Sequence, residues 1–444
     1  MTTDIVHLTA EEMGKAIAHQ ELNPQDILAE FYRVIEKNPI SNRIFTTLTK
    51  ERAFREAEEA SIRAKEGKRL SPLDGVPVSW KDLFDTRKTL TEAGSLLLKG
   101  RRPDTDAKVL QIGTNAGLVC LGKTHMSELA FSGLGFNPNT ATPPSINDLE
   151  SVAGGSSSGA AASVAFGMAT AGIGSDTGGS VRIPSCWNDL VGFKPTHGQI
   201  SLDGVVPLCL SFDTVGPLCR TVTDASLLYP ILTETECPDL GNISLKGKTF
   251  LILQSKSLEY IRKEPQSGFD RSVELLEDHG AIIRYDTFPE IDLALALAGC
   301  LYCVEAYAEW KEIIEANPEA MYEPIRERFL SGKDYSGAEF SSAWRELRSL
   351  RKIFHKNTQG FDGLLLPTSP ILPPNAKRLL IDKDYYASEN LLALRNTRVS
   401  NLFDLPTLTI PTGIPSTGIS LIGYPHQEIR LLRLGKAVEK AMKS

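Results

Sequence analysis

The sequence has few of the features that mark metal sites, disulfide scaffolds, nucleic-acid surfaces or membrane spans. Its seven histidines never fall at the spacing of metal ligands, and its seven cysteines are too scattered for a disulfide scaffold. The formal net charge is −7 and no long basic run occurs, which argues against nucleic acid or an anionic membrane as the main partner. No uncharged apolar run approaches the roughly 20 residues that a membrane helix needs.

Targeting and low-complexity segments are also missing. The opening stretch, MTTDIVHLTAEEMG, lacks a basic segment followed by an apolar one, so no secretory signal is expected. Reduced cysteines and a cytoplasmic location are the matching expectations. The 444 residues, 41% of them hydrophobic and 23% charged, are enough for a large buried core. We expect one domain over residues 1–444.

Helical patterns dominate two parts of the chain. Residues 1–70 are expected to form a helical brace, and about 255–355 a helical excursion that could shape a pocket. Elsewhere short apolar strands, such as residues 76–80, 118–121 and 169–173, alternate with helices. This alternation predicts an α/β fold with a largely parallel sheet.

Two glycine–serine turns, residues 154–156 and 178–180, bracket one helix and one strand of small residues. A serine hydroxyl is a poor nucleophile until a base takes its proton, and a tetrahedral intermediate needs N–H donors for its oxyanion. Backbone N–H groups around the second turn could approach a substrate oxygen, because glycine has no Cβ. A flexible loop or tight helix packing is the alternative for such a cluster.

Lys81 lies at the end of an apolar strand, far upstream of both turns. Desolvation there would lower its pKa and let it act as a neutral base, so the chain could perform nucleophilic catalysis without histidine. A surface ion pair with the adjacent Asp82 is the alternative.

Other motifs are weaker. Residues 117–124, GLVCLGKT, satisfy the phosphate-loop pattern, but the apolar strand lies inside the motif, where a turning loop is needed. Cys300 and Cys303 have the spacing of a zinc or redox pair without a second pair, so core packing is expected. His125 and His197 lie near the serine motifs and could line a pocket, with core or surface roles as the alternative.

Taken together, the motifs resemble the amidase signature family. The family pattern is a lysine after a Gly-x-Pro strand, then GGSS, then DTGGS-x-R-x-P, then G-x-K-P-T. It is matched by residues 75–82, 154–157, 176–184 and 192–196. Weaker matches extend the resemblance over nearly the whole chain outside about 240–350.

The resemblance implies a hydrolase that cleaves linear carboxylic amides through an acyl-enzyme, on a large mixed sheet wrapped by helices. Ser180 would be the nucleophile and Lys81 the base, and Ser156, which follows a cis peptide bond in the family, would relay the proton. No metal or cofactor is implied. The oxyanion would be held by the N–H groups of Thr177, Gly178, Gly179 and Ser180. Candidates for the substrate pocket are His125, Met126 and Ser127.

Substrate and partner stay open within the resemblance. Esters and carbamates would react by the same triad, and an amidotransferase component that hydrolyses glutamine is a further alternative. After Pro184 the family often has small residues followed by Cys-Gly, whereas this chain has SCWND. The asparagine at position 188 resembles the sequence of allophanate hydrolases of the family at this point. The expected partner is a small-molecule amide, with no nucleic acid or membrane, and the chain could form a homodimer.

Overall fold

The computed structural model describes residues 5–444. Residues 1–4, which belong to the expected single domain and its helical brace, lie outside the described part. The strands are β1 Phe45–Leu48, β2 Pro77–Lys81, β3 Val119–Thr124, β4 Ala171–Asp176, β5 Val191–Lys194, β6 Thr214–Cys219, β7 Thr249–Gln254, β8 Ile282–Thr287, β9 Gly363–Pro367, β10 Thr407–Pro411 and β11 Gly418–Ile422.

The helices flank these strands. They are α1 Ala10–Ala18, α2 Pro24–Lys37, α3 Ser41–Ile44, α4 Lys50–Lys65, α5 Lys108–Asn115, α6 Ser158–Ala165, α7 Arg182–Trp187, α8 Val222–Thr233, α9 Lys263–Asp278, α10 Pro289–Ala316, α11 Glu323–Leu330, α12 Gly337–Asn357, α13 Ala376–Ile381, α14 Lys383–Leu402 and α15 Glu428–Met442.

Within residues 5–444 all eleven strands form one sheet, in the order β1-β3-β2-β4-β6-β5-β10-β11-β9-β7-β8. The predicted large mixed sheet flanked by helices is confirmed. Its mostly parallel character is wrong, since β2 pairs in parallel with β3 and β4, and β7 with β8 and β9, while the six other pairings are antiparallel. The reason is tertiary: β6 inserts between β4 and β5, which the alternation of elements suggests are neighbours.

The N-terminal brace is helical, as expected, with one strand added. Helix α1 begins with a capping box between Thr9 and Glu12. Helix α2 begins after Asn23, whose side chain accepts the N–H of Gln25, and its apolar face packs against α4. Strand β1 pairs with β3, so this region also extends the sheet.

Residues 255–355 are mostly helical but contain an edge strand. Strand β8 pairs in parallel with β7, and helix α9 connects the two strands. This strand corrects the expectation of a helical excursion. Helix α10 packs on α11, α12 and α14. Its 28 residues are long and apolar enough to cross a membrane by composition, a property that core helices of soluble proteins share.

Two neighbouring parallel strands place the candidate catalytic residues at one edge of the sheet. Strand β2 ends at Lys81 and strand β4 ends at Asp176, and β2 pairs with β4 in parallel. The carboxyl ends of neighbouring parallel strands meet at the same edge of a sheet, which is where ligands bind in many open α/β sheets. The lysine and the second serine turn therefore lie together.

Candidate active site

Lys81 and Ser156 contact each other in the interior. Both side chains are fully buried. The Nζ of Lys81 donates hydrogen bonds to the hydroxyl of Ser156 at 2.7 Å and to the hydroxyl of Ser175 at 2.8 Å. The structure therefore joins the predicted base to the predicted relay. It also adds Ser175, which precedes Asp176 at the end of β4 and is not among the residues predicted from the sequence.

Asp82 takes no part in this cluster. Its carboxylate pairs with the Nζ of Lys123 at 3.1 Å, and both side chains are buried. Lys123 also donates to the hydroxyl of Thr91 at 2.9 Å. The surface pair of Lys81 with Asp82 is thus excluded, and so is a phosphate loop at residues 117–124, because Lys123 lies inside β3.

Burial sets the protonation of Lys81. It lowers the pKa of the amine from 10.5 to about 7, while the negative charges of Asp213 and Asp176 act in the opposite direction. At neutral pH a large fraction of the amine is therefore uncharged and able to accept a proton, in contrast to an ordinary lysine.

The first serine turn is packed too tightly for larger residues. The peptide bond between Gly155 and Ser156 is cis, as the resemblance implies. A Cβ on Gly155 would lie 2.4 Å from the backbone nitrogen of Gly135, so only glycine fits. The N–H of Ser127 donates to the carbonyl of Ser156 at 3.2 Å. The backbone of Ser156 is thus held by Ser127 and its hydroxyl by Lys81.

Asp176 organises the second serine turn. Its carboxylate accepts the N–H groups of Gly179 at 2.9 Å and Val181 at 3.1 Å, the guanidinium of Arg182 at 2.8 and 2.9 Å, and the amide of Asn401 at 2.9 Å. Burial alone would raise the pKa of Asp176, but the ion pair with Arg182 and the hydrogen bonds lower it well below its ordinary value. The carboxylate therefore stays charged and holds the turn that carries Ser180.

Loss of this carboxylate should unfold the turn. We expect Asp176→Ala to lower the free energy of unfolding by about 3–5 kcal/mol, because it leaves the buried guanidinium of Arg182 without its charge partner. Urea denaturation followed by circular dichroism measures the change. Asp104→Ala removes the exposed pair with Lys88 and serves as the control that should leave the midpoint unchanged. Equal midpoints for both variants would contradict the role given to Asp176.

The predicted oxyanion donors divide into two groups. The N–H of Gly179 already donates to Asp176, and its φ of 137° and the close approach of Thr397 Oγ1, 2.2 Å from a built Cβ, explain the glycine. The N–H groups of Thr177, Gly178 and Ser180 have no acceptor within residues 5–444. Gly179 is therefore corrected from oxyanion donor to turn residue, and the other three stay available.

Ser180 lies at the wall of a small cavity of about 20 Å³, which has room for about one water molecule. Its carbonyl accepts the N–H of Ser157 at 3.2 Å, so the two serine turns are in direct contact. No hydrogen bond joins the hydroxyls of Ser180 and Ser156 among the described residues. Hydrogen bonds of catalytic groups are often long before substrate binds. The cavity is lined by Ala130, Phe131, Ser132, Thr177, Gly178, Ser180, Leu208, Tyr302, Arg328, Leu394 and Arg398.

None of the three predicted pocket residues lines this cavity. The carbonyl of Met126 accepts the amide of Asn137, and the hydroxyl of Ser127 donates to the carbonyl of Ser132 at 3.0 Å. Burial lowers the pKa of His125 to about 4, so this ring is neutral. The pocket prediction is therefore corrected, because His125, Met126 and Ser127 are not among the residues that line this cavity, and Ser127 instead supports the Ser156 turn through its N–H. The residues of this segment that line the cavity come a few positions later, after a tight turn.

Metal dependence is not expected. The described residues contain no group of three or more His, Cys, Asp or Glu side chains that could hold a metal ion. We predict that the rate after dialysis against a strong chelator equals the rate before it. Loss of activity on chelation and its return with zinc or another divalent ion would overturn the serine–lysine assignment.

The comparisons with known proteins agree on one family. The sequence profile described as Amidase matches residues 26–432. A component of the glutamyl-tRNA(Gln) amidotransferase of Chloroflexus aurantiacus is 28% identical over 99% of this chain and 97% of that protein. A solved amidase superposes with a TM-score of 0.87 at 29% identity, over 98% of this chain and 99% of the other. A second solved chain comes from a protein complex that bears on the origins of an s-triazine catabolic enzyme. It superposes with a TM-score of 0.88 at 25% identity, over 98% of each chain. The chain therefore belongs to the amidase signature family of hydrolases.

Proposed function

We propose that this hydrolase cleaves the C–N bond of carboxylic amides through a covalent acyl-enzyme on Ser180. The observation that carries the proposal is the buried hydrogen bond between Lys81 and Ser156, directly behind the turn that holds Ser180. Burial lowers the pKa of Lys81 to about 7, which supports its role as base.

The first half-reaction forms the acyl-enzyme. Neutral Lys81 accepts the proton of Ser156, Ser156 accepts the proton of Ser180, and the Oγ of Ser180 attacks the carbonyl carbon. The oxyanion accepts the free N–H groups of Thr177, Gly178 and Ser180. The C–N bond then breaks, and the proton returns through Ser156 to the departing nitrogen, which leaves as ammonia or an amine.

The second half-reaction releases the acid. A water molecule loses a proton to the same relay and attacks the acyl carbon, and the tetrahedral intermediate collapses with the return of the proton to Ser180. Lys81 is then neutral again. Attack and oxyanion are the same for esters and carbamates, so these are alternative substrates of the proposed site.

A second candidate function follows from the relatives of the chain. The relative from Chloroflexus aurantiacus, at 28% identity, is one component of a glutamyl-tRNA(Gln) amidotransferase. By analogy the chain would hydrolyse glutamine and supply ammonia to a partner. This candidate requires weak activity of the isolated chain and co-purification with another protein.

A graded substrate panel tests the proposal. Purified protein is given primary amides, anilides, esters and carbamates with acyl groups of increasing size and charge, and released ammonia or amine is measured. We expect turnover of at least one amide by the isolated chain. Absence of turnover on every member, together with no covalent labelling of Ser180 by a serine-directed acylating reagent, would contradict the proposal. Turnover of glutamine only in the presence of a co-purified protein would favour the second candidate.

A further inference from the structure

Two arginine side chains line the cavity at Ser180, and neither forms an ion pair with a carboxylate within residues 5–444. They are Arg328 on helix α11 and Arg398 on helix α14. The proposed reaction at Ser180 uses neither of them. A guanidinium in a largely buried position has lost hydration, so it needs a partner anion or an aromatic face to offset that loss.

Arg328 is held in place by an aromatic ring and a carbonyl. Its guanidinium lies 4.1 Å from the centroid of the Phe131 ring, and one N–H group donates to the carbonyl of Phe131 at 2.7 Å. These contacts fix the plane of the guanidinium but leave most of its N–H donors unused. The side chain is therefore oriented without being neutralised.

Arg398 lies beside the oxyanion turn. A Cβ built on Gly178 would be 3.6 Å from the Cγ and 3.9 Å from the Nε of Arg398, so this side chain runs directly along the catalytic backbone. Its guanidinium is 5.7 Å from the centroid of the Tyr302 ring. Burial, together with the positive charge of Arg328, lowers the pKa of Arg398 to about 10, which places the two cations within each other's field.

Tyr302 adds an unused donor. Its side chain is buried and lines the same cavity, and its hydroxyl has no hydrogen-bond partner among the described residues. A buried hydroxyl without a partner is costly, and a ligand atom at this position would remove that cost. The hydroxyl thus points to a polar ligand group in the cavity.

The charge of the inner cavity is one-sided. Its lining residues include two arginines and no aspartate or glutamate. An outer cavity of about 590 Å³ shares Tyr302, Arg328 and Arg398 with it, and of the two only this outer cavity has carboxylates, the exposed Glu327 and Asp384. The inner cavity of about 20 Å³ has room for about one water-sized group, so an acyl group between Ser180 and the arginines has to be short, and its carboxylate would lie where the inner cavity meets the outer one.

We propose that Arg328 and Arg398, with the hydroxyl of Tyr302, form a carboxylate-binding subsite next to Ser180. The ligand class is a short amide that carries a carboxylate at the far end of its acyl group, that is, the monoamide of a short dicarboxylic acid. The substrate class rests on the proposed function, whereas the anion site itself does not. Guanidinium groups bind carboxylates in two-point contacts, and the repulsion between the two cations falls when an anion lies between them.

The one-sided charge also separates two related substrates. Glutamine carries a carboxylate and an ammonium group, and the only acidic residues that line either cavity are the exposed Glu327 and Asp384 of the outer one, where water screens their charge. Glutaramate is the same amide without the ammonium group. The subsite therefore favours glutaramate over glutamine.

A binding experiment tests the subsite without catalysis. Ser180→Ala removes the nucleophile and keeps both arginines, and its binding of malonate, succinate and glutarate is measured by calorimetry. At least one of these anions should bind, and the added change Arg398→Gln should weaken that binding about 100-fold or more, as for loss of one partner of a close charge pair. Arg395→Gln is the matched control on the same helix, because Arg395 bonds Asn396 and Ser257 outside the cavity, and it should leave binding unchanged.

A kinetic experiment tests the substrate class. The unmodified enzyme is given malonamate, succinamate and glutaramate, the corresponding neutral diamides, and glutamine. We expect kcat/KM to be about 100-fold higher for the best monoamide than for its diamide, and in Arg328→Gln or Arg398→Gln the ratio of the two values, both measured with the same variant, should fall to about one. Arg398→Lys serves as a second variant, which keeps the positive charge and loses the two-point contact of a guanidinium with a carboxylate.

The outcomes separate the two proposals. Failure of every dicarboxylate to bind Ser180→Ala, or equal kcat/KM for the monoamides and their diamides, would overturn the carboxylate subsite even if amides are hydrolysed. Binding of a dicarboxylate that depends on Arg398, in a protein that hydrolyses no amide, would support the subsite and overturn the proposed hydrolysis. A preference for glutamine over glutaramate would overturn the charge assignment of the cavity.

Discussion

Ser180→Ala is expected to lower kcat by roughly four to six orders of magnitude, in line with the loss of a nucleophile in other serine hydrolases. The reason is that the other serine and threonine hydroxyls on the cavity wall are engaged: that of Thr177 donates to the carboxylate of Asp213, and that of Ser132 donates to the side-chain oxygen of Asn390. The side chain of Ser180 is small and its hydroxyl forms no hydrogen bond among the described residues, so the variant should keep the thermal midpoint of the parent.

Ser158→Ala provides the matched control. This serine follows the first turn, and its hydroxyl makes only a long 3.4 Å contact with the carbonyl of His125. The variant should keep most of the activity. Mass spectrometry after rapid quenching should find the acyl group on Ser180 in the parent protein. An adduct on Ser156, or turnover of Ser180→Ala at the parent rate, would overturn the assignment of the nucleophile.

Lys81→Ala should have the second-largest effect, a loss of roughly 10²–10⁴-fold, the usual contribution of general-base catalysis. The pH dependence follows from the pKa of about 7, which burial produces. Below that pH the amine is protonated and cannot accept a proton, so kcat/KM should fall about tenfold per pH unit. Above it the amine is neutral, so the rate should rise through about pH 7 and level off.

The variant Lys81→Arg distinguishes a role of Lys81 as a base from a role as a fixed positive charge. A guanidinium stays protonated across the accessible pH range, so this variant should be as inactive as Lys81→Ala. Stopped assays from about pH 5 to 9 on a neutral amide measure both variants, since a charged substrate would add the titration of its own site. Full activity of Lys81→Arg, or a flat profile in the parent protein, would refute the base role and leave Lys81 as a structural charge.

The predicted relation between Lys81 and Asp82 shows what strand geometry allows. Neighbouring side chains on a strand point to opposite faces, so the two residues need not pair, and the structure places Asp82 against Lys123. The same kind of reasoning excludes a phosphate loop at residues 117–124. Both conclusions depend only on the secondary structure of a few consecutive residues, which the sequence pattern predicts. The cytoplasmic location and the homodimer stay predictions.

Two misassignments have a common physical cause. The resemblance implies Gly179 as an oxyanion donor, but its N–H is used by Asp176, and Ser175 is absent from the predicted site although it contacts Lys81. Adjacent residues in a tight turn direct their N–H groups differently, and the direction depends on φ and ψ values that the residue types leave open. Strand alternation at the end of β4 is the one signal that could have found Ser175.

The sequence by itself was enough to identify the family of hydrolases, because its motifs are short, continuous segments that match the family pattern. Residues 154–157 and 176–184 are continuous segments, and Lys81 is the end residue of one strand. The direction of six strand pairings and the content of the cavity were decided only by the tertiary structure. Tyr302, Arg328 and Arg398 lie on three helices, and they meet beside Ser180 because α10 packs against both α11 and α14, a contact between distant segments that no local pattern encodes.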